Sequence, residues 1–186
     1  MDFLRADYLA IRAALERLGS EITVVSSRVG PVTSDAKQEL NLVAQEVEAT
    51  VAFGNIRPSD FDAIVFIPSS NSEFLYASNA SPNAQQAAQQ TTYRVLTELR
   101  EANVCLAAIG NAVFVLARYR ALDNHEASGA EWITARTELA AVKWDVSRRV
   151  VASGPDGQFV TAHSTQVAAS FAEQVHASAQ KRVPQR

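Results

Sequence analysis

The sequence predicts an α/β fold with a mainly parallel sheet, and three observations carry that prediction. Two nearly continuous apolar runs, FDAIVFI at 61–67 and VCLAAI at 104–109, have the length and composition of strands covered on both faces. Each is followed by a stretch with helical spacing, while the chain opens with a helix that leads into a strand. A length of 186 residues with 47% apolar side chains supports one soluble domain with a real core and leaves no room for two.

The first helix is expected over 6–18, where Tyr8, Leu9, Ile11, Ala14, Leu15 and Leu18 recur on one face and Gly19 supplies the stop. Residues 21–26 (EITVVS) read as a short strand, with Gly30-Pro31 marking a turn. Between 33 and 58, Leu40, Leu42 and Val43, then Val47, Val51 and Phe53, alternate loosely enough for a small peripheral hairpin. The run at 61–67 ends at Pro68 and a loop of small polar residues follows.

Ser81-Pro82 has the form of a helix cap with proline at the first helical position, and the helix continues through 84–101 with Val95, Leu96 and Leu99 inward. Its low-complexity start, NAQQAAQQTT, consists largely of good helix formers and is read as a solvated helical face. The strand at 104–109 places Cys105 and Ala107 on one face and Leu106 on the other. Helices are expected at 111–119 and 131–141. A hairpin follows at 150–152 and 159–162 around the Pro-Asp-Gly turn, then a helix at 164–177. The domain thus spans 1–177, with a polar tail at 178–186.

Composition excludes several classes of function. There are 17 basic against 20 acidic side chains, a formal charge of −3 with no Lys/Arg cluster, so no nucleic-acid partner is expected. The apolar stretch 104–117 is interrupted by Gly110 and Asn111 and is shorter than the roughly 18 residues of a spanning helix, so no membrane partner is expected. A single cysteine, Cys105, forms neither an intramolecular disulfide nor a Cys-rich zinc site, which suits a reducing cytoplasm, and nothing near residue 1 has the form of a secretory signal. His125 and His176 lack partners at metal-ligand spacing, so neither a metal nor a cofactor is expected.

In a parallel α/β sheet, ligands bind beyond the carboxyl ends of the strands. The residues that follow the strands are Ser69, Ser70 and Asn71, then Gly110 and Asn111, then His163 with Ser164 and Thr165. The polar loop at 69–72 and His163 each have an ordinary structural reading, as turn formers and as a hydrogen-bonded loop histidine. Cys105, inside its strand, reads as a buried, inert thiol.

Here the chain resembles the ThiJ/PfpI superfamily, also described as class I glutamine amidotransferase-like. The resemblance rests on FDAIVFIPSS at 61–70, AAIGNAVFVLARYRALDN at 107–124 and the hairpin VVASGPDGQFVTAHST. Among subgroups it is most similar to the amidase-like domains of AraC-type regulators and to isocyanide hydratases, and SSRVGPVTSD at 26–35 is similar to the domain at the C-terminus of large catalases. The resemblance implies a flavodoxin-like three-layer sandwich, a tendency to dimerise, and a cysteine at a strand-to-helix elbow beside an oxyanion hole.

Laid on this sequence, the elbow position is Gly110, the oxyanion-loop glycine pair is Ser69-Ser70, and the histidine that precedes Trp132 in the family pattern falls near Gly129-Ala130. The family's first strand should precede residue 6, where only MDFLR stands, so that strand is expected to be missing or replaced. These departures together imply a domain without cysteine catalysis that binds, senses or supports structure, homodimeric and open to a small-molecule ligand. The alternative is a divergent hydrolase or hydratase acting on a small amide, nitrile-like or carbonyl substrate through His163 or a loop hydroxyl. A role as the sensing half of a DNA-binding regulator is disfavoured, because no helix-turn-helix follows residue 177.

Overall fold

The apolar run ending at Ile109 forms an inner strand of the sheet in the computed structural model, which describes residues 2–3, 5–34, 46–68 and 81–182. In chain order these give β1 (Asp2–Phe3), α1 (Arg5–Arg17), β2 (Val25–Ser26), β3 (Gly30–Ser34), β4 (Glu46–Ala49), β5 (Val51–Ala52) and β6 (Ala63–Phe66). They continue with α2 (Pro82–Glu101), β7 (Cys105–Ile109), α3 (Val113–Arg118), β8 (Glu126–Ala127), α4 (Glu131–Thr134), β9 (Lys143–Trp144), β10 (Val150–Ser153), β11 (Phe159–Ala162) and α5 (Ala168–Arg182).

The main sheet has the order β10-β11-β7-β6; β6, β7 and β11 are parallel, and β10 is antiparallel to β11. The strand period of two divides β7 between two cores. Leu106 and Ala108 face Val95, Leu96 and Leu99 of α2 and the apolar side of α3. Cys105, Ala107 and Ile109 face Ile11, Ala14 and Leu15 of α1 and Phe171, Ala172 and Val175 of α5. The result is the expected three-layer α/β sandwich. Fully buried side chains such as Leu99, Leu106, Leu116, Phe159 and Phe171 each contribute about 2–3 kcal/mol of apolar burial.

Local chemistry explains the helix ends. The Ser81 hydroxyl accepts the Ala84 N–H at 3.4 Å, and Pro82 stands at the first helical position, as its sequence predicts. Helices α1, α2 and α3 all terminate around one left-handed residue, with paired hydrogen bonds that return to the last turn. Gly19 does this for α1, Asn103 for α2 and Arg120 (φ 62°) for α3, where Arg120 N–H donates to Ala117 O and Ala121 N–H to Leu116 O. An arginine there costs about 1 kcal/mol relative to glycine.

Several elements differ from their sequence reading. The strand expected at 21–26 is limited to Val25–Ser26, because its partner β5 offers only Val51–Ala52. Gly30-Pro31 does not turn the chain but opens β3; among the described residues Pro31 pairs only with β4, since β1 is matched to Thr33 and Ser34, so the missing N–H is tolerated. The peripheral hairpin exists as β3 and β4, while the arm expected at Leu40–Val43 lies outside the described residues. Strand β6 packs on both cores, Ile64 and Phe66 on one face and Ala63, Val65 and Ile67 on the other; among the described residues it lies at the sheet edge, which leaves Ala63, Val65 and Phe66 only half-buried. The chain's opening strand, β1, pairs with β3 in a separate three-stranded sheet instead of joining the central one.

The helix expected at 131–141 stops at Thr134, because Arg136 turns extended (ψ 120°) and a single 3-10 turn follows at Thr137–Leu139. The last helix starts at Ala168 and runs to Arg182, past the boundary expected at 177. Ser178 is buried, and the Arg182 guanidinium donates to the carbonyls of Phe61 and Pro58, tying the helix end to the entry of β6.

Candidate functional site

The carboxyl ends of β6, β7 and β11 meet because the ladder holds them in register. Phe66 pairs with Ala108 and Ile109 with Ala162, so Pro68, Gly110 and His163 leave neighbouring strands at nearly the same level. Gly110, Asn111 and His163 are therefore brought to one edge of the sheet. Ser69, Ser70 and Asn71 lie outside the described residues, although they follow Pro68 directly in the chain.

Gly110 makes the corner. Ile109 is still extended (φ −131°, ψ 143°), Gly110 is left-handed (φ 58°), and a 3-10 turn at Gly110–Ala112 leads into α3. Gly110 is buried, yet among the described residues a Cβ built on it would meet only Pro68 Cγ at 3.4 Å, ordinary van der Waals contact. The corner has the shape of a strand-to-helix elbow with no side chain, and the described residues leave space for one. The first amides of a helix ordinarily have no carbonyl one turn back and suit an acceptor atom of a ligand.

The wall beside the elbow was not foreseen. Asn111 is exposed, and its Oδ1 accepts the Trp132 Nε1–H at 2.9 Å. Trp132 lies 5.7 Å from the Phe114 ring, and the Arg136 guanidinium sits 4.7 Å from the centroid of Phe114 and 4.9 Å from that of Trp132. Arg136 also pairs with Glu138 at 3.2 Å; the Glu138 carboxyl is held below its usual range by its own backbone N–H first and by Arg136 second. The sequence signal was present in part, since a half-buried Trp N–H ordinarily finds an acceptor. Nothing local ties Trp132 to a residue 21 positions earlier.

His163 is half-buried, and both its backbone N–H (3.3 Å) and its ring Nδ1 (3.2 Å) engage the Arg149 carbonyl across the hairpin. Cys105 is 2% exposed, on the face of β7 turned to α1 and α5; burial pushes its thiol up to about 12, against a small opposing pull from Arg182. That value leaves almost no thiolate at neutral pH. His125 stacks on Phe159 at 4.6 Å, and His176 Nδ1 lies 3.1 Å from Ser20 Oγ. Among the described residues no group of three or more His, Cys, Asp or Glu side chains is placed to hold a metal ion, and no helix is long and apolar enough to cross a membrane.

The layers, the sheet order and the elbow define an α/β sandwich of the class whose ligand sites lie at the strand ends. Residues 2–178 match the model of the DJ-1/PfpI family, and the chain belongs to that family. Solved structures agree in fold. A ThiJ/PfpI domain protein from Brachyspira murdochii superposes with a TM-score of 0.74 at 19% identity, covering 97% of this chain and 91% of that one. A DJ-1 superfamily protein from Agrobacterium tumefaciens gives 0.70 at 21% identity, over 94% and 83%. DJ-1beta from Drosophila melanogaster gives 0.66 at 16% identity, over 97% and 90%. No curated protein matches the sequence at a significant level.

Proposed function

We propose that this chain is a DJ-1/PfpI domain that binds a small ligand at its elbow without cysteine catalysis, in a sensing or structural role. The observation that carries the reading is the placement of the chain's single thiol. Cys105 is sealed in the α1/α5 core, while Gly110, at the elbow where the family pattern has its cysteine, offers no nucleophile. The crevice is read as Gly110, Asn111 and His163; Ser69, Ser70 and Asn71, expected there from the sequence, lie outside the described residues. A ligand that presents a carbonyl or carboxylate oxygen suits the elbow's leading amides. The alternative hydrolase or hydratase would need a titratable group free to act, and the His163 ring already engages the Arg149 carbonyl.

The chain is further proposed to form a homodimer in the cytoplasm. Leu9 and Leu18, at and just after α1, are 40% and 36% exposed and give a self-association surface a place to form. Sedimentation velocity tests this: a single monomeric species at micromolar concentration contradicts it.

The functional reading is tested by incubating the chain with a small amide, an isocyanide and a 2-oxoaldehyde and following product by NMR. No turnover above buffer is expected, and Gly110→Ala should change only stability or ligand affinity. Turnover by the native chain that Gly110→Ala or thiol alkylation removes would overturn the reading.

A further inference from the structure

Away from the elbow, a groove of about 270 Å³ lies between the second half of α2 and the turn that follows α3. Its walls include Tyr93, Leu96 and Arg100 on one side and Tyr119, Arg120 and Asp123 on the other. Both sides are fixed. The Arg100 carbonyl accepts Gln158 Nε2–H at 2.7 Å and the Asn103 N–H at 3.0 Å, while the opposite turn is anchored by Asn124 N–H on Ala141 O at 2.7 Å and by buried Ala121 and Leu122. A groove with rigid walls binds without first having to order itself.

Its charge is unbalanced by one cation. Arg120 pairs with Asp123 at 2.7 Å, whereas Arg100 has no acidic partner among the described residues. The field is felt nearby: the His125 imidazole lies below its usual range, through burial first and then through Arg100 and Lys143. Tyr93 presents an aromatic ring at 57% exposure, one of few large apolar groups so placed among the described residues. Arg120 itself occupies the left-handed position where α1 uses glycine and α2 asparagine. An arginine at a position that favours glycine must offset that cost through its side chain, which here pairs with Asp123 and forms the groove wall.

We propose that this groove binds a small planar monocarboxylate, with the carboxylate on Arg100 and the planar body against Tyr93 and Leu96. The volume lies below the range of drug-sized pockets and suits a single ring. One negative charge balances Arg100, and a second would face Asp123. Arg120, held by Asp123, closes the far wall.

The test uses the full chain labelled with 15N and benzoate as the probe, with benzamide and inorganic phosphate as comparators. Benzoate is expected to shift the amides of 93–100 and 119–124 saturably, and to bind at least ten times more tightly than benzamide or phosphate. Arg100→Gln and Tyr93→Ala, both at exposed positions, should keep the native Tm while raising the benzoate Kd tenfold or more and about threefold, respectively. Arg120→Gly should raise Tm by about 2–4 °C, because glycine suits the left-handed position, and should weaken benzoate binding. Shifts confined to 93–100 and 119–124, with the amides of 110–113 and 163 unmoved, separate this site from the elbow; saturable shifts only at 110–113 and 163 would overturn the proposal. Absence of saturable shifts, an unaltered Kd in Arg100→Gln, or tighter binding of phosphate would overturn the proposal.

Discussion

Replacing Gly110 and Gly154 by alanine, one at a time, tests whether the elbow has room for a side chain. Both glycines are left-handed (φ 58° and 75°), so each alanine carries the same backbone penalty, about 1 kcal/mol net of the entropy it removes from the unfolded chain. They differ in what the new Cβ meets. At Gly110 the nearest atom among the described residues is Pro68 Cγ at 3.4 Å, a contact that adds little. At Gly154 the Cβ would fall 2.7 Å and 2.9 Å from ring carbons of Phe159, which is 1% exposed and has nowhere to move. Overpacking of that kind adds about 1–3 kcal/mol. For a chain of this size, Gly110→Ala should lower Tm by about 2–4 °C and Gly154→Ala by roughly 6–12 °C. Thermal unfolding followed by circular dichroism reads both. Equal losses, or a larger loss at Gly110, would show that the elbow is closed and that its lack of a nucleophile is steric.

Three further changes probe the scaffold. Ser81→Ala removes a long cap bond and should cost about 0.5 kcal/mol, with faster hydrogen exchange at the Ala84 amide as the local sign. Arg182→Ala frees the carbonyls of Phe61 and Pro58 and should cost about 1–2 kcal/mol in urea denaturation; a chain ended after residue 177 loses the same bonds. Cys105→Ala isolates the alkaline behaviour of the thiol. In the folded chain the thiol stays protonated up to about 12, while in the unfolded chain it ionises near 9. Stability therefore falls as pH rises from 9 towards 12, by up to about 1.4 kcal/mol per pH unit, and Cys105→Ala should remove that slope. Parallel slopes in the two chains would contradict the burial of the thiol.

What could be read from the sequence was whatever local chemistry or a clean period determines. The Ser81-Pro82 cap, the Pro-Asp-Gly hairpin and the split of β7 between two cores follow from residues within a few positions of one another. The edge position of β6 was hidden, because an apolar run reads alike in a strand with two neighbours and in one with a single neighbour. The break after α4 was hidden as well. The pattern at 131–141 suits a helix, but Arg136 leaves it and stacks on Phe114 and Trp132, a gain that depends on the tertiary fold.

At the candidate site, the register of β6, β7 and β11 brought Gly110, Asn111 and His163 to one edge, as expected from residues that follow parallel strands. The aromatic and guanidinium wall of Phe114, Trp132 and Arg136 could not be foreseen, because it joins two segments about 20 residues apart.

The central claim concerns where the chain keeps its thiol, and the rate of iodoacetamide labelling as a function of pH tests it most directly. The native chain should label slowly at pH 7–8 and reach full reactivity only on denaturation, whereas Gly110→Cys in a Cys105→Ala background should label readily at neutral pH. Rapid, stoichiometric labelling of native Cys105 near neutral pH would contradict the account and place a reactive thiol where the structure has a closed core.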